Sequence, residues 1–216
     1  MGSRWWPESP DPRSAAEPAG RRLGDRTRRR ERGRVRLALV LALWCGLAGC
    51  GSAPASTAGF VTGDGTLTVL PVEQRPVAPL IEGTTLAGES WSSASTAGKV
   101  VVYNVWGSWC APCRAEAAAL VGASERTAST AVFVGLNTRD LDPAAPKAFV
   151  RAFGVPYVNL YDPDGALLLK FSGHLPATAI PSTLLVDPRG RIAARIIGET
   201  TEATVVGLID DLAAGK

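Results

Sequence analysis

Cys110 and Cys113 stand at the spacing Cys-x-x-Cys, with Ala111 and Pro112 between them. A pair so placed serves one of three chemistries: half of a zinc site, a structural disulfide, or a redox couple cycling between dithiol and disulfide. Zinc requires four ligands, and the chain has no second Cys-x-x-Cys and a single histidine, His174. A tetrahedral set of nitrogen and sulfur ligands is therefore not completed. A structural bridge across so short a loop removes little entropy from the unfolded chain. Redox chemistry is the favoured reading. It needs one thiol held as a thiolate and a second thiol ready to displace it.

The flanking sequence supplies that setting. Residues 99–106 (KVVVYNVW) form a continuous apolar and β-branched run, the pattern of a strand buried on both faces. After Gly107, Ser108 and Trp109 come the two cysteines. Residues 114–128 are then rich in Ala, Glu and Leu, with Leu120, Val121 and Ser124 at helical spacing. Cys110 is thus expected at a strand-to-helix turn near the helix N-cap. Pro112 falls in the first turn, where its missing N–H costs nothing. Unpaired N–H groups and the positive end of the helix dipole favour an anion there, which makes Cys110 the expected nucleophile. Cys113, one turn further in, is expected to be the more shielded, resolving partner.

The rest of the chain alternates as an α/β protein should. Residues 131–137 (AVFVGLN) predict a second buried strand, and residues 143–153 a helix with Phe149, Val150 and Phe153 on one side. Residues 155–161 read as extended and 167–171 as a short helix. Residues 183–187 and 191–197 flank Asp187-Pro188-Arg189-Gly190, a hairpin turn, and 201–213 closes as a helix carrying Val205, Val206, Ile209 and Leu212 on one face. Strands joined through a helix should run parallel and the hairpin antiparallel. Residues 71–95, punctuated by Gly and Pro, have room for one or two further strands. His174 is expected in a loop, without a catalytic role.

Composition sets the wider frame. The 216 residues are 46% hydrophobic and 20% charged, with a mean hydropathy of +0.10, which suits one globular domain plus extra chain. A polytopic membrane protein and a fully disordered chain are both excluded. The net charge of +3 averages two unlike regions, because residues 1–49 hold 11 Arg against 5 acidic residues while the remainder is acidic overall. Nucleic acid is not an expected partner, since the folded part lacks a basic surplus. Within residues 1–49, nine arginines between Arg21 and Arg36 precede a short apolar run from Leu37 to Trp44. That run is too short to span a bilayer, and the pattern is that of an export signal. Leu47-Ala48-Gly49-Cys50 resembles the lipobox of bacterial lipoproteins. The resemblance implies cleavage before Cys50, lipidation of its thiol, and attachment to the outer face of the cytoplasmic membrane. Residues 50–66, small and Gly-rich, then read as a flexible tether to a folded body at 67–216.

The segment Val105-Trp106-Gly107-Ser108-Trp109-Cys110-Ala111-Pro112-Cys113-Arg114-Ala115-Glu116 closely resembles the active-site segment of membrane-tethered thiol–disulfide oxidoreductases of the TlpA/ResA type. These form an AhpC/TSA–Redoxin-like branch of the thioredoxin superfamily. Ile180-Pro181-Ser182-Thr183 resembles the family's cis-proline segment, and the order of elements agrees from about Pro79 to Leu212. The implied fold is the thioredoxin fold: a central mixed β-sheet flanked by helices, with an N-terminal strand extension. Cytoplasmic thioredoxins carry an aspartate where this chain has Asn104. The TlpA/ResA type instead has a carboxylate three residues after the second cysteine, which implies Glu116 as the proton-handling group, covered by Trp106 and the segment before Pro181. Pro181 should be cis, with Ile180 and the preceding loop offering backbone groups to an extended substrate, and Trp109 exposed beside the thiol. Trp106 should be core.

The family's chemistry implies reduction of protein disulfides, including those of apocytochrome c. A polytopic membrane protein would donate the electrons, and no cofactor or metal would be needed beyond the Cys110–Cys113 couple in a monomeric chain. Three alternatives remain at this stage: an oxidant that makes disulfides, a copper-delivery lipoprotein using His174, and a non-catalytic binding lipoprotein. Copper delivery fits poorly, because that chemistry resembles a Cys-x-x-x-Cys pair, one residue longer than the spacing here.

Overall fold

A computed structural model describes residues 67–216, so the basic segment, the apolar run and the tether, with Cys45 and Cys50, lie outside the described residues. Among the described residues there are eight strands: β1 (Leu67–Val69), β2 (Glu82–Thr84), β3 (Ser90–Ser92), β4 (Val100–Trp106), β5 (Ala131–Thr138), β6 (Val158–Asp162), β7 (Ser182–Val186) and β8 (Ile192–Ile197). Four α-helices accompany them: α1 (Ala111–Arg126), α2 (Ala144–Ala152), α3 (Ala166–Leu169) and α4 (Glu202–Ala213). No helix among the described residues is long and apolar enough to cross a membrane.

The main sheet has six strands in the order β1-β8-β7-β4-β5-β6. Its centre is β4, whose seven residues are all buried, as its unbroken apolar run requires. β5 lies parallel to β4 and β6 parallel to β5, while β7, β8 and β1 are added antiparallel on the other side. The two connections through helices are parallel and the Asp187–Gly190 hairpin is antiparallel, as expected. Alternate residues of β4 feed two cores. Val101, Tyr103 and Val105 face Ile81, Leu167, Leu168 and Phe171, whereas Val100 and Val102 face Leu120 and Ala123 of α1 and Val205 and Ile209 of α4. At roughly 1.5–3 kcal/mol for each fully buried large aliphatic side chain, these two layers fix the frame on which the dithiol sits.

The one or two strands expected within residues 71–95 are present, and a further short strand was not expected. β2 and β3 do fall within residues 71–95, as a separate hairpin, but β1 precedes that stretch and caps the edge of the main sheet beside β8. The registers place Leu67, Ile196, Thr183 and Asn104 in one cross-sheet row. The hairpin turn is tied by Asp187, which accepts from the Arg189 and Arg191 N–H groups and from the guanidinium groups of Arg75 and Arg191. Burial alone would raise its pKa, but those donors outweigh burial and hold it below the usual carboxylate value.

Candidate active site

The disulfide lies where β4 ends. Gly107–Trp109 turn the chain away from the sheet, and Cys110 becomes the N-cap of α1 with extended backbone (φ −83°, ψ 110°). Its sulfur accepts the N–H of Cys113 at 3.1 Å, taking the role a Ser or Asp oxygen usually fills at this position. The helix begins at Ala111, so Cys110 stands at the cap and Pro112 occupies the first turn without losing a bond, as expected from the sequence. Cys110 and Cys113 are joined as a disulfide, with Cα atoms 5.3 Å apart.

The expected contrast in shielding is absent: Cys110 is 3% exposed and Cys113 2%. Both sulfurs belong to a cluster with Leu86, Trp106, Ala117 and Phe149, against which Ile180 also packs. What distinguishes Cys110 is its place at the cap, where a backbone N–H and the helix dipole would stabilise its thiolate once the pair is reduced.

Glu116 points inward from α1 and is 2% exposed. Its Oε1 accepts the Asn104 amide at 2.9 Å, and its Oε2 accepts the backbone N–H of Thr200 at 3.0 Å. The same Asn104 nitrogen also donates to Thr183 Oγ1 at 3.3 Å. Burial pushes the carboxyl up to about 7 from its ordinary 4.5; the donors from Asn104 and Thr200 pull against this, and the nearby Glu199 charge adds to it. A group poised there exchanges a proton near neutral pH. Trp106 and the segment before Pro181 do not supply its hydrogen bonds. The partners are Asn104 on β4 and Thr200 beyond β8, neither assigned this role by the sequence. The carboxylate that thioredoxins place on the strand is here on the helix, and the strand supplies the amide that holds it.

The Ile180–Pro181 bond is cis. Trp109 is 53% exposed, with its indole folded over Gly107, where a Cβ would lie 2.6 Å from the ring. Trp106 is core, stacked on Phe149 at 4.4 Å between centroids and donating through Nε1 to Asn159 at 2.9 Å. His174 is half-buried in a turn well away in sequence from either cysteine, and burial, with Arg195 nearby, lowers its pKa. Sequence reasoning missed Asp140, which binds Ser108, two residues before Cys110, through both carboxylate oxygens. Nothing in the local sequence around Asp140 marks that contact.

A mixed sheet of this order, with a Cys-x-x-Cys disulfide capping the helix after the central strand and a cis-proline at the start of the next antiparallel strand, defines a thioredoxin-fold protein of the thiol–disulfide oxidoreductase class. The chain belongs to the Redoxin family, which it matches over residues 68–209. It is 36% identical over 119 residues to the thiol:disulfide interchange protein HelX of Rhodobacter capsulatus, a match covering 55% of this chain and 63% of HelX. Among solved structures it resembles a DsbF homologue from Corynebacterium diphtheriae (TM-score 0.64, 35% identity, 70% of this chain and 96% of that one). A secreted thiol-disulfide isomerase from Corynebacterium glutamicum is similar (TM-score 0.68, 30% identity, 72% and 96%). The chain spans less than two thirds of the length of the curated relatives it matches, 52% in the case of DsbE from Allochromatium vinosum.

Proposed function

We propose that this protein is an extracytoplasmic thiol–disulfide oxidoreductase that reduces disulfides in other proteins. The observation that carries the reading is the pairing of a cap-position cysteine with a buried carboxyl of pKa about 7 one helical turn beyond its partner cysteine. In the reduced form, the Cys110 thiolate attacks a substrate disulfide and one substrate sulfur leaves as a thiolate. Cys113 then gives up its proton, with Glu116 as the acceptor, and attacks the Cys110 sulfur. The second substrate thiolate departs and the Cys110–Cys113 disulfide closes. Two electrons have passed to the substrate, and an external dithiol must return them. The resemblance to the TlpA/ResA type supports apocytochrome c as a substrate and a polytopic membrane protein as the electron donor.

The test is turnover of a single-disulfide polypeptide together with the equilibrium of Cys110–Cys113 against glutathione. A reductant gives turnover that needs both cysteines and a couple well below that of glutathione. A couple well above it would overturn the direction in favour of disulfide formation, and no exchange at all would overturn the whole reading.

The lipobox-like Leu47–Cys50 segment supports a lipid anchor at Cys50. Fractionation of the wild type should place it with membranes, and Cys50→Ala should release it or leave it uncleaved. Wild type found soluble with residues 1–49 intact would end the lipoprotein reading.

A further inference from the structure

The corner that closes β5 carries two adjacent side chains that no step of the exchange uses. β5 runs parallel to β4, with Trp106 registered against Asn137, so its C-terminal end reaches the same edge of the sheet as the disulfide. Ligands of open α/β sheets gather at such carboxyl ends. Just beyond β5, Arg139 takes φ 61°, the one non-glycine residue with positive φ among the described residues. A left-handed backbone is disfavoured for a residue bearing a side chain and persists where its surroundings hold it, often at functional sites.

Arg139 donates from its guanidinium to the Ala177 carbonyl at 2.8 Å, within the loop that leads to the cis-proline. Asp140, its neighbour, is 6% exposed and accepts Ser108 Oγ at 2.6 Å, the Ser108 N–H at 2.8 Å and the Asn137 amide at 2.7 Å. Tyr161 donates to the Asp140 carbonyl at 2.9 Å, which fixes the corner from a third side. Two consecutive side chains leaving one left-handed turn thus hold both strips of chain that flank Cys110. One strip is the turn before the cysteine, and the other is the loop before Pro181.

We infer that Arg139 is a positioning residue that selects for polypeptide substrates. Asp140 holds the turn before Cys110 through Ser108, and Arg139 holds the loop before Pro181 through Ala177, so this corner sets how the two segments stand relative to each other for an extended chain. The inference rests on the thiol–disulfide exchange reading. The two contacts differ in character. Asp140 is buried and bound several times over, whereas Arg139 is exposed and holds the loop by one side-chain bond, so the loop is the more lightly held of the two segments. A small disulfide needs only the Cys110 sulfur. An extended polypeptide needs both segments, because its backbone must lie along the loop before the proline.

Arg139→Gly removes the guanidinium while keeping the left-handed turn accessible, and Arg139→Lys restores a cation with a donor. The experiment compares each with wild type on a single-disulfide polypeptide and on glutathione disulfide, and also reads the Cys110–Cys113 equilibrium with glutathione. For Arg139→Gly, the ratio of kcat/KM for polypeptide to that for glutathione disulfide should fall roughly three- to tenfold, the size of one hydrogen bond's contribution. The loss should appear in KM, without a shift of the redox equilibrium, and Arg139→Lys should recover part of it. Equal losses on both substrates, a displaced equilibrium, or an unchanged ratio would overturn the inference. A wild type that turns over neither substrate would overturn the exchange reading with it.

Discussion

The Cys113→Ala variant is expected to accumulate disulfide-linked adducts with substrate proteins and to lose turnover, whereas Cys110→Ala should trap few. The reason lies in the local bonding rather than in access, since the two sulfurs are buried almost equally. Cys110 occupies the helix cap and receives the Cys113 N–H, so in the reduced state its thiolate is the favoured one. Cys113 reaches an adduct only from within, one helical turn away, and its removal leaves the mixed disulfide with no internal displacement. Non-reducing electrophoresis and the mass of the adduct give the readout. Equal trapping by the two variants would reverse the assignment of nucleophile.

Glu116→Gln should slow exchange at neutral pH by roughly 10²- to 10⁴-fold if the carboxylate takes the Cys113 proton. Wild-type exchange should rise as pH passes about 7, where Glu116 becomes an anion, and the variant should lack that rise. Removing the anion should also lower the thiol pKa values. Stability moves the opposite way from activity. Below about pH 4.5 the carboxyl is neutral in both folded and unfolded chains and contributes no difference. Between 4.5 and about 7 the unfolded chain loses the proton while the folded protein keeps it, so wild-type stability falls as pH rises. Above 7 the full penalty is in place, on the order of 3 kcal/mol. Glutamine carries no such penalty. Its amide can be matched by a rotated Asn104 side chain, with Asn104 Oδ1 as the acceptor, while its oxygen keeps the Thr200 N–H. The oxidised variant should therefore be more stable than wild type at pH 8 and nearly equal to it at pH 4.5 in denaturant titrations. Equal stability at both pH values, with unchanged exchange, would remove Glu116 from the mechanism.

The parts of the site legible in the sequence were those built from contiguous residues. The buried run of β4, the turn at residues 107–109 and the cap at Cys110 each carry their own local pattern, and the cis-proline at Pro181 followed from the resemblance of residues 180–183 to a known family. The parts that were not legible depend on chain segments far apart. Thr200 lies 84 residues from Glu116, and Asp140 lies 32 from Ser108. Each contact is made only when the sheet has assembled, with β5 paired directly to β4 and β8 one strand away across β7. The mistaken contrast between the cysteines has the same origin: helical position alone ranks Cys113 as the deeper residue, but both cysteines belong to the cluster that contains Trp106 and Phe149 and against which Ile180 packs. β1 escaped notice as an edge strand because three residues are too few for a period, and its partner is β8, more than a hundred residues later.

The cross-sheet row that runs from Leu67 through Ile196 and Thr183 to Asn104 has a consequence for how the body can be held. Three strand spacings of about 4.8 Å put the entry of the chain roughly 14 Å across the sheet from Asn104, at the same end as the redox couple. If Cys50 is the attachment point, the 16 residues 51–66 span at most about 55 Å. The protein is then leashed by its reactive pole. Anchored in that way, the chain would enter the folded body at the end of the sheet that carries the dithiol, so the reactive end would be the one nearest the attachment along the chain.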